Sequence, residues 1–182
     1  MDSKLVVLAQ HGDRVAFTRL AEMLTARFLG VSHGILRDIE LAEDATQQAL
    51  LTIWQRLPQL RDPDRFEAWS YRLLVRACHA ESQRARRWTP VARLLPTNEP
   101  MTMDDVGVVI DRDQLERAFR RLSVDHKAVV ILRHYQHLPL DEVARLLDVP
   151  IGTVASRLHY AMRELRSAIQ ADARPGERMA VQ

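Results

Sequence analysis

Apolar residues recur at three- and four-residue spacing along nearly the whole chain, and no stretch alternates convincingly with a period of two. That spacing is one face of an α-helix, so the sequence predicts an all-α fold with no sheet. Ala16, Phe17, Leu20, Met23, Leu24 and Phe28 share one such face. A second helix is expected to begin after His33-Gly34. Leu50, Ile53, Trp54 and Leu57 continue a third up to Pro58, which lacks the amide that a helix interior needs.

Gln59 to Arg65 reads as a polar loop containing Pro63, and Phe66, Trp69, Leu73, Ala77 and Ala80 form the apolar stripe of a fourth helix ending near Arg87. The stretch from Thr89 to Ile110 then carries Pro90, Pro96 and Pro100 with no sustained amphipathic period, the pattern of a linker. Beyond it, Leu115, Ala118, Phe119 and Leu122 open a second helical cluster, with Ser123 placed to cap a helix from Asp125 to about Gln136. A chain of 182 residues has room for one domain or two small ones. The expected division is a domain over 1–88, a linker over 89–110, a second domain over 111–171 and a fraying tail over 172–182.

Charge is more informative in its distribution than in its sum of +2. Asp38, Glu40, Glu43 and Asp44 lie in a block without a base, whereas Arg65 to Arg93 holds seven Arg against Glu67 and Glu81. Glu99 to Glu116 is acidic again, with Arg112 its single base. Blocks of this size suit one surface for a basic target and another for an acidic one. All but two of the 26 basic residues are Arg, whose planar fork matches phosphate, although codon usage in a GC-rich genome produces the same bias. Cys78 is the sole cysteine, which excludes a disulfide framework and a cysteine zinc site. No apolar run approaches the ~18 residues of a membrane span, and residues 1–10 lack a basic region followed by an apolar one, so no membrane insertion and a cytoplasmic location are expected.

The most specific pattern lies near the C-terminus. Leu140 to Leu147 is a short amphipathic helix burying Val143, Ala144, Leu146 and Leu147; Asp148 to Gly152 is a turn; Thr153 to about Gln170 is a longer helix. Ala144 supplies the small side chain that two steeply crossing helices need at their contact, which makes this a helix-turn-helix. Val154, Leu158, Ala161 and Leu165 make one buried stripe of the second helix, leaving Ala155, Ser156, His159, Tyr160 and Arg163 outward at the end that enters a major groove. Asp148 tolerates the left-handed conformation such a turn requires.

Residues 122–165, with Pro150-Ile151-Gly152-Thr153-Val154 and Ser156-Arg157-Leu158, resemble the promoter −35 reading domain of bacterial sigma factors of the extracytoplasmic-function group in the sigma-70 family. Ala42 to Leu50 and on through Trp54 resembles that family's polymerase-binding helix, and Leu60 to Arg72 its −10 loop and following helix. The resemblance implies a sigma factor that binds core RNA polymerase and directs promoter-specific initiation from −10 and −35 elements. Polymerase contacts then fall on Glu43, Asp44, Gln47, Gln48, Leu51 and Arg56, although relatives usually carry a carboxylate where this chain has Gln48. The −10 contacts fall on Leu60, Arg61, Asp62, Asp64 and Arg65, and on Arg72, Arg76, His79 and Gln83, which follow at helical spacing as a polar stripe. The −35 contacts fall on Thr153, Ser156, Arg157, His159, Tyr160 and Arg163, with Arg157 directed to DNA backbone or a neighbouring helix. Ala155, Tyr160 and Met162 stand where many relatives have bases. Partners are core RNA polymerase and promoter DNA, with an anti-sigma factor a further candidate because relatives are commonly silenced by one.

No glycine-rich phosphate loop, nucleophile elbow or metalloprotease helix is present, so neither catalysis nor a cofactor is expected. His134 and His137 are three apart, yet no third ligand lies nearby in sequence, and surface positions are expected rather than a metal site. The alternative is a stand-alone helix-turn-helix regulator whose N-terminal half senses a ligand or dimerises. It would bind its operator without polymerase. If the division is right, limited proteolysis of the free protein cuts first between Thr89 and Ile110; cutting first within Asp44–Leu57 would refute it.

Overall fold

Two junctions in the N-terminal half are set by capping side chains. In the computed structural model, which describes residues 3–88 and 112–172, α1 (Ser3–Gln10) is followed by α2 (Arg14–Leu36), α3 (Ile39–Arg56) and α4 (Phe66–Trp88). Asp13 caps α2 by accepting hydrogen bonds from the amides of Val15 and Ala16 at 2.9 and 3.0 Å. At the far end Arg37 turns left-handed (φ 57°), and Asp38 caps α3 by accepting from Leu41 N at 3.1 Å. Two residues thus reverse the chain into a helical hairpin. Pro58 stops α3, and short 3₁₀ turns at Leu57–Gln59 and Pro63–Arg65 carry the chain to α4.

One expectation fails here: the second helix does not begin after His33-Gly34, because α2 runs unbroken through both residues to Leu36. Glycine lowers helix propensity by about 1 kcal/mol, but tertiary packing overrides it. A Cβ on Gly34 would lie 2.8 Å from Ile131 Cδ1 and 3.0 Å from its Cγ1, so glycine is what lets the C-terminal half approach α2.

Leu20, Leu24, Phe28, Val31 and Ile35 of α2 face Ala45, Ala49 and Ile53 of α3 in the core. The alanines let the helices lie close. From α4, Tyr71 meets Phe28 edge-on with ring centroids 5.4 Å apart. Ala80, expected in the α4 stripe, is exposed, whereas Tyr71, Leu74 and Cys78 are fully covered.

The C-terminal half comprises α5 (Arg112–Arg121), α6 (Val124–Val130), α7 (Leu140–Leu147) and α8 (Ile151–Asp172). Ser123 caps α6 as expected, accepting from His126 N at 3.2 Å. A π turn at Ile131–Tyr135 follows α6, and His137 is left-handed (φ 54°). Asp148 closes α7 in the left-handed conformation (φ 58°), its amide donating to Ala144 O. Pro150 O then accepts from the amides of Thr153 and Val154, so α8 starts at Ile151, two residues earlier than the sequence pattern suggests. Val154, Ala161 and Leu165 are buried as expected, and Leu158 is half-buried.

The two halves are not apart: α4 packs against α7 and α6, and α2 against α6, so one hydrophobic cluster runs through both. The linker expected at 89–110 and the tail from about 173 lie outside the described residues. Lys127, only 8% exposed, sits at the junction beside a cavity of about 170 Å³ that Ile35, Leu36, Ser82 and Leu122 also line.

Burial first, then the charges of Arg37 and Arg86, holds the Lys127 ammonium down at about pKa 8 against an ordinary 10.5, with Glu116 opposing. The unfolded chain therefore binds this proton more tightly than the folded one. The resulting penalty is complete below pH 8 and lifts as pH rises toward 10.5. Lys127→Met is expected to stabilise the fold by up to about 3 kcal/mol at pH 7, with the gain shrinking above pH 8. Urea melts of both proteins between pH 6.5 and 10 check this; a pH-independent difference would contradict it.

Candidate nucleic-acid interface

The start of α8 presents its polar residues as the helical period dictates. Ser156, His159, Tyr160 and Arg163 are exposed, and Thr153 is half-buried. Ser156 Oγ donates to Thr153 O at 3.0 Å. The Arg163 guanidinium carbon stands 4.9 Å from the centroid of the Tyr160 ring, which is 47% exposed, and His159 packs edge-on against the same ring. A guanidinium held over an aromatic face keeps its donors free while losing rotamer freedom in advance. Beyond their three-residue spacing, nothing in the sequence signals this stack. Arg157 instead turns inward, 3.4 Å from Asp125 on α6. Ile151, read from sequence as part of the turn, is 54% exposed on the first turn of α8.

In the loop before α4, Arg61 and Arg65 are exposed, while its acids build the turn. Asp62 Oδ1 accepts from Asp64 N at 3.0 Å, Asp62 O accepts from Arg65 N at 3.1 Å, and Asp62 Oδ2 pairs with Arg65 Nε at 3.2 Å. Ser3 donates to Asp64 Oδ1 at 2.5 Å. Leu60 is half-buried. Phe66 is buried, and Trp69 packs 6.0 Å from it, so both serve the core, as their spacing suggested.

Along α4, Arg76 and Gln83 are exposed, but Arg72 and His79 are engaged by the C-terminal half. Arg72 Nη1 lies 2.7 Å from Asp148 Oδ2 in the helix-turn-helix turn, and His79 Nε2 lies 3.1 Å from Asp125 Oδ1. Asp125 thus holds the His79 imidazole of α4 with one oxygen and Arg157 of α8 with the other. At the other edge of the junction Arg37 makes a bidentate pair with Glu116, and Arg120 joins it at 3.1 Å. Burial opposes ionisation of Glu116, but the bonds from Arg37 and Arg120 outweigh it and hold the carboxyl below its ordinary range.

On α3, Glu43, Asp44, Gln47, Gln48, Leu51 and Arg56 are all exposed, opposite the buried Ala42, Ala45, Thr46, Ala49 and Ile53. Trp54 is 41% exposed and leans edge-on against Phe17 at 4.5 Å. With Leu51, 48% exposed, it sets an apolar patch beside the acids. The three-residue step from Leu51 to Trp54 was the available signal.

Cys78 is buried, which pushes its thiol up to about 12 and leaves it unreactive. His134 and His137 are exposed, and no group of three or more potential metal ligands occurs among the described residues. Among those residues no helix is long and apolar enough to cross a membrane.

Two sequence families match the chain: Sigma-70 region 2 over residues 20–88 and Sigma-70 region 4 over residues 112–165. ECF RNA polymerase sigma factor SigL of Mycobacterium tuberculosis is 34% identical over 137 residues, covering 73% of this chain and 77% of the relative. RNA polymerase sigma-H factor of Pseudomonas aeruginosa is 24% identical, covering 93% and 94% of the two chains. In fold, the chain is similar to CnrH, solved in complex with the cytosolic domain of CnrY (TM-score 0.67, 20% identity, covering 94% of this chain and 98% of that one). It is also similar to the sigma factor RpoE of Bartonella quintana, solved with the anti-sigma factor NepR (TM-score 0.61, 17% identity, 86% and 98%). The chain belongs to the extracytoplasmic-function sigma factors of the sigma-70 family. It is thus a promoter-directing initiation factor that works with core RNA polymerase, and the stand-alone regulator is not favoured.

Asp148 engages Arg72, and Asp125 engages His79 and Arg157, so removing both carboxylate charges frees these side chains for any phosphate offered. Asp125→Asn combined with Asp148→Asn is expected to raise affinity for a mixed-sequence single strand several-fold at low salt, with a difference that fades as salt rises. Fluorescence anisotropy measures both; unchanged affinity at every salt concentration would mean these cations never meet DNA.

Proposed function

We propose that the exposed face of α8 reads the −35 element, the Leu60–Phe66 loop with α4 captures the −10 element, and α3 docks on the polymerase. What carries this reading is the pairing of each matched region with an exposed face of fitting chemistry: a Tyr160–Arg163 stack on region 4, and an acidic face with an apolar patch on region 2. An unstacked base needs a pocket, with cationic side chains for the flanking phosphates. Arg61, Arg65 and Arg76 supply exposed charge at once. Arg72 and His79 join when the C-terminal half moves off α4. Glu43 and Asp44 suit a basic partner, and Leu51 with Trp54 gives that contact a desolvated centre.

Asp62 and Asp64 act by shaping the loop, and Arg157 by tying α8 to α6 in the closed arrangement. The protein itself catalyses nothing, the chemistry being the polymerase's, and it works in the cytoplasm where that enzyme is. Its two units are residues 1–88 and 111–171, joined by 89–110. An anti-sigma factor belongs among its partners, since the RpoE neighbour of the same fold was solved with one.

Run-off transcription with core polymerase, with and without the protein, tests the whole reading. Tight specific duplex binding without polymerase, and no stimulation of transcription, would return the regulator. For the −35 helix, Arg163→Ala is expected to cost roughly 1–3 kcal/mol and shift preference at one promoter position if Arg163 reads a base. A uniform loss, with the salt slope reduced by about one unit, would assign it to phosphate. If substitutions of Ser156, His159 and Arg163 all leave promoter choice unchanged while thermal melts stay intact, α8 is not the reader.

A further inference from the structure

The loop assigned to −10 capture has little regular structure of its own, yet both its ends are tied to one helix outside the matched region 2, which begins at residue 20. That helix is α1 (Ser3–Gln10), anchored in the core through Val6 and Ala9. The Gln10 side-chain amide Nε2 donates to Leu60 O at 2.7 Å and to Leu57 O at 3.2 Å. At the other end of α1, Ser3 Oγ donates to Asp64 Oδ1. Seven helical steps separate the two residues, about 10 Å at the helical rise, so a rigid rod spans the loop and holds it at both ends.

The chemistry of Gln10 suits this task. Leu57 O already accepts from Leu60 N at 3.1 Å within the 3₁₀ turn, and the two hydrogens of one amide group satisfy both carbonyls together. Fixing two carbonyls three residues apart fixes the orientation of the peptide planes between them, and hence the direction in which Arg61 leaves the chain. The Asp62 turn then sets Arg65 from the same base.

We propose that Gln10 is a positioning residue for −10 recognition, its amide holding the Leu57–Leu60 turn so that the loop's base-capturing surface is formed before DNA arrives. This rests on the assignment of the loop to the −10 element.

The test uses the full chain with core polymerase. Gln10→Leu keeps comparable bulk and removes the donors, and Gln10→Glu replaces them with an acceptor that repels the carbonyls. Leu8→Ala, on the exposed side of the same helix, is the control. Transcription is read on a duplex promoter and on a template already unpaired across the −10 element, each with single-base changes at −10 and at −35.

Both Gln10 variants are expected to lose about tenfold on the duplex promoter and to flatten the preference among −10 bases. Preference at −35, activity of Leu8→Ala and helical circular dichroism should all stay at wild-type levels. A loss that falls equally on −10 and −35 preference, or that tracks a lowered melting temperature, would make Gln10 merely a packing residue and overturn the inference. So would wild-type selectivity in both variants.

Arg61→Ala and Arg65→Ala run in parallel to separate the two levels. If they alter −10 selectivity while Gln10 variants do not, the inference falls and the loop assignment stands. If they too leave −10 selectivity untouched, the loop assignment itself falls.

Discussion

Everything in this molecule is arranged around a helix that is covered on more than one side. Helix α4 gives Tyr71, Leu74 and Cys78 to the bundle with α2 and α3, and it also packs against α7 and α6 of the C-terminal half. The burial that stabilises a small domain of this kind is limited by its surface-to-volume ratio. Sharing α4 gives both halves a larger common core than either would have alone. The same sharing brings the turn of the helix-turn-helix onto the polar stripe of the first half.

That contact is mixed in character, with apolar packing at its centre and charged pairs around it. Gly34 lets Ile131 approach α2 closely, an apolar and short-range contact. Around it lie the pairs Arg72–Asp148, His79–Asp125 and Arg37–Glu116. Ion pairs at a partly exposed boundary contribute little net stability, because water and salt offer each charge an alternative. Under the proposed −10 assignment, DNA phosphate would be another such alternative for Arg72 and His79. Lys127, by contrast, weakens the junction at neutral pH, since burial and the charges of Arg37 and Arg86 disfavour its ammonium. The closed arrangement is therefore held by apolar packing and only lightly latched by charge.

Much of the fold was legible because helical period and capping act over a few residues. The stripe Leu20, Leu24 and Phe28, the stop at Pro58, the Ser123 cap and the left-handed Asp148 all stand where local physics puts them. The exposed residues of α8 were legible for the same reason, being the complement of a buried stripe, whereas those of α3 came from the family resemblance. Gly34 misled, because its local cost as a helix residue is plain in the sequence while its compensation comes from Ile131, far along the chain. Trp54, on the same helix as the buried Ala42, Ala45 and Ala49, lies at the rim against Phe17, a contact that local periodicity does not specify.

By itself, then, the sequence determined most of the helices, the Ser123 cap, the exposed face of α8 and the family, since each depends on short-range periodicity or on a motif of contiguous residues. Tertiary structure alone decided which polar side chains of those helices are engaged. Arg72, Arg76, His79 and Gln83 form one even stripe in sequence, yet Arg72 and His79 are held by carboxylates more than forty residues away while Arg76 and Gln83 face solvent. It likewise decided that α1, with no motif of its own, holds the loop before α4 through Gln10 and Ser3. The reason is one of range: a helical period says which face a residue lies on, but which distant atom meets that face is set only when the chain has packed.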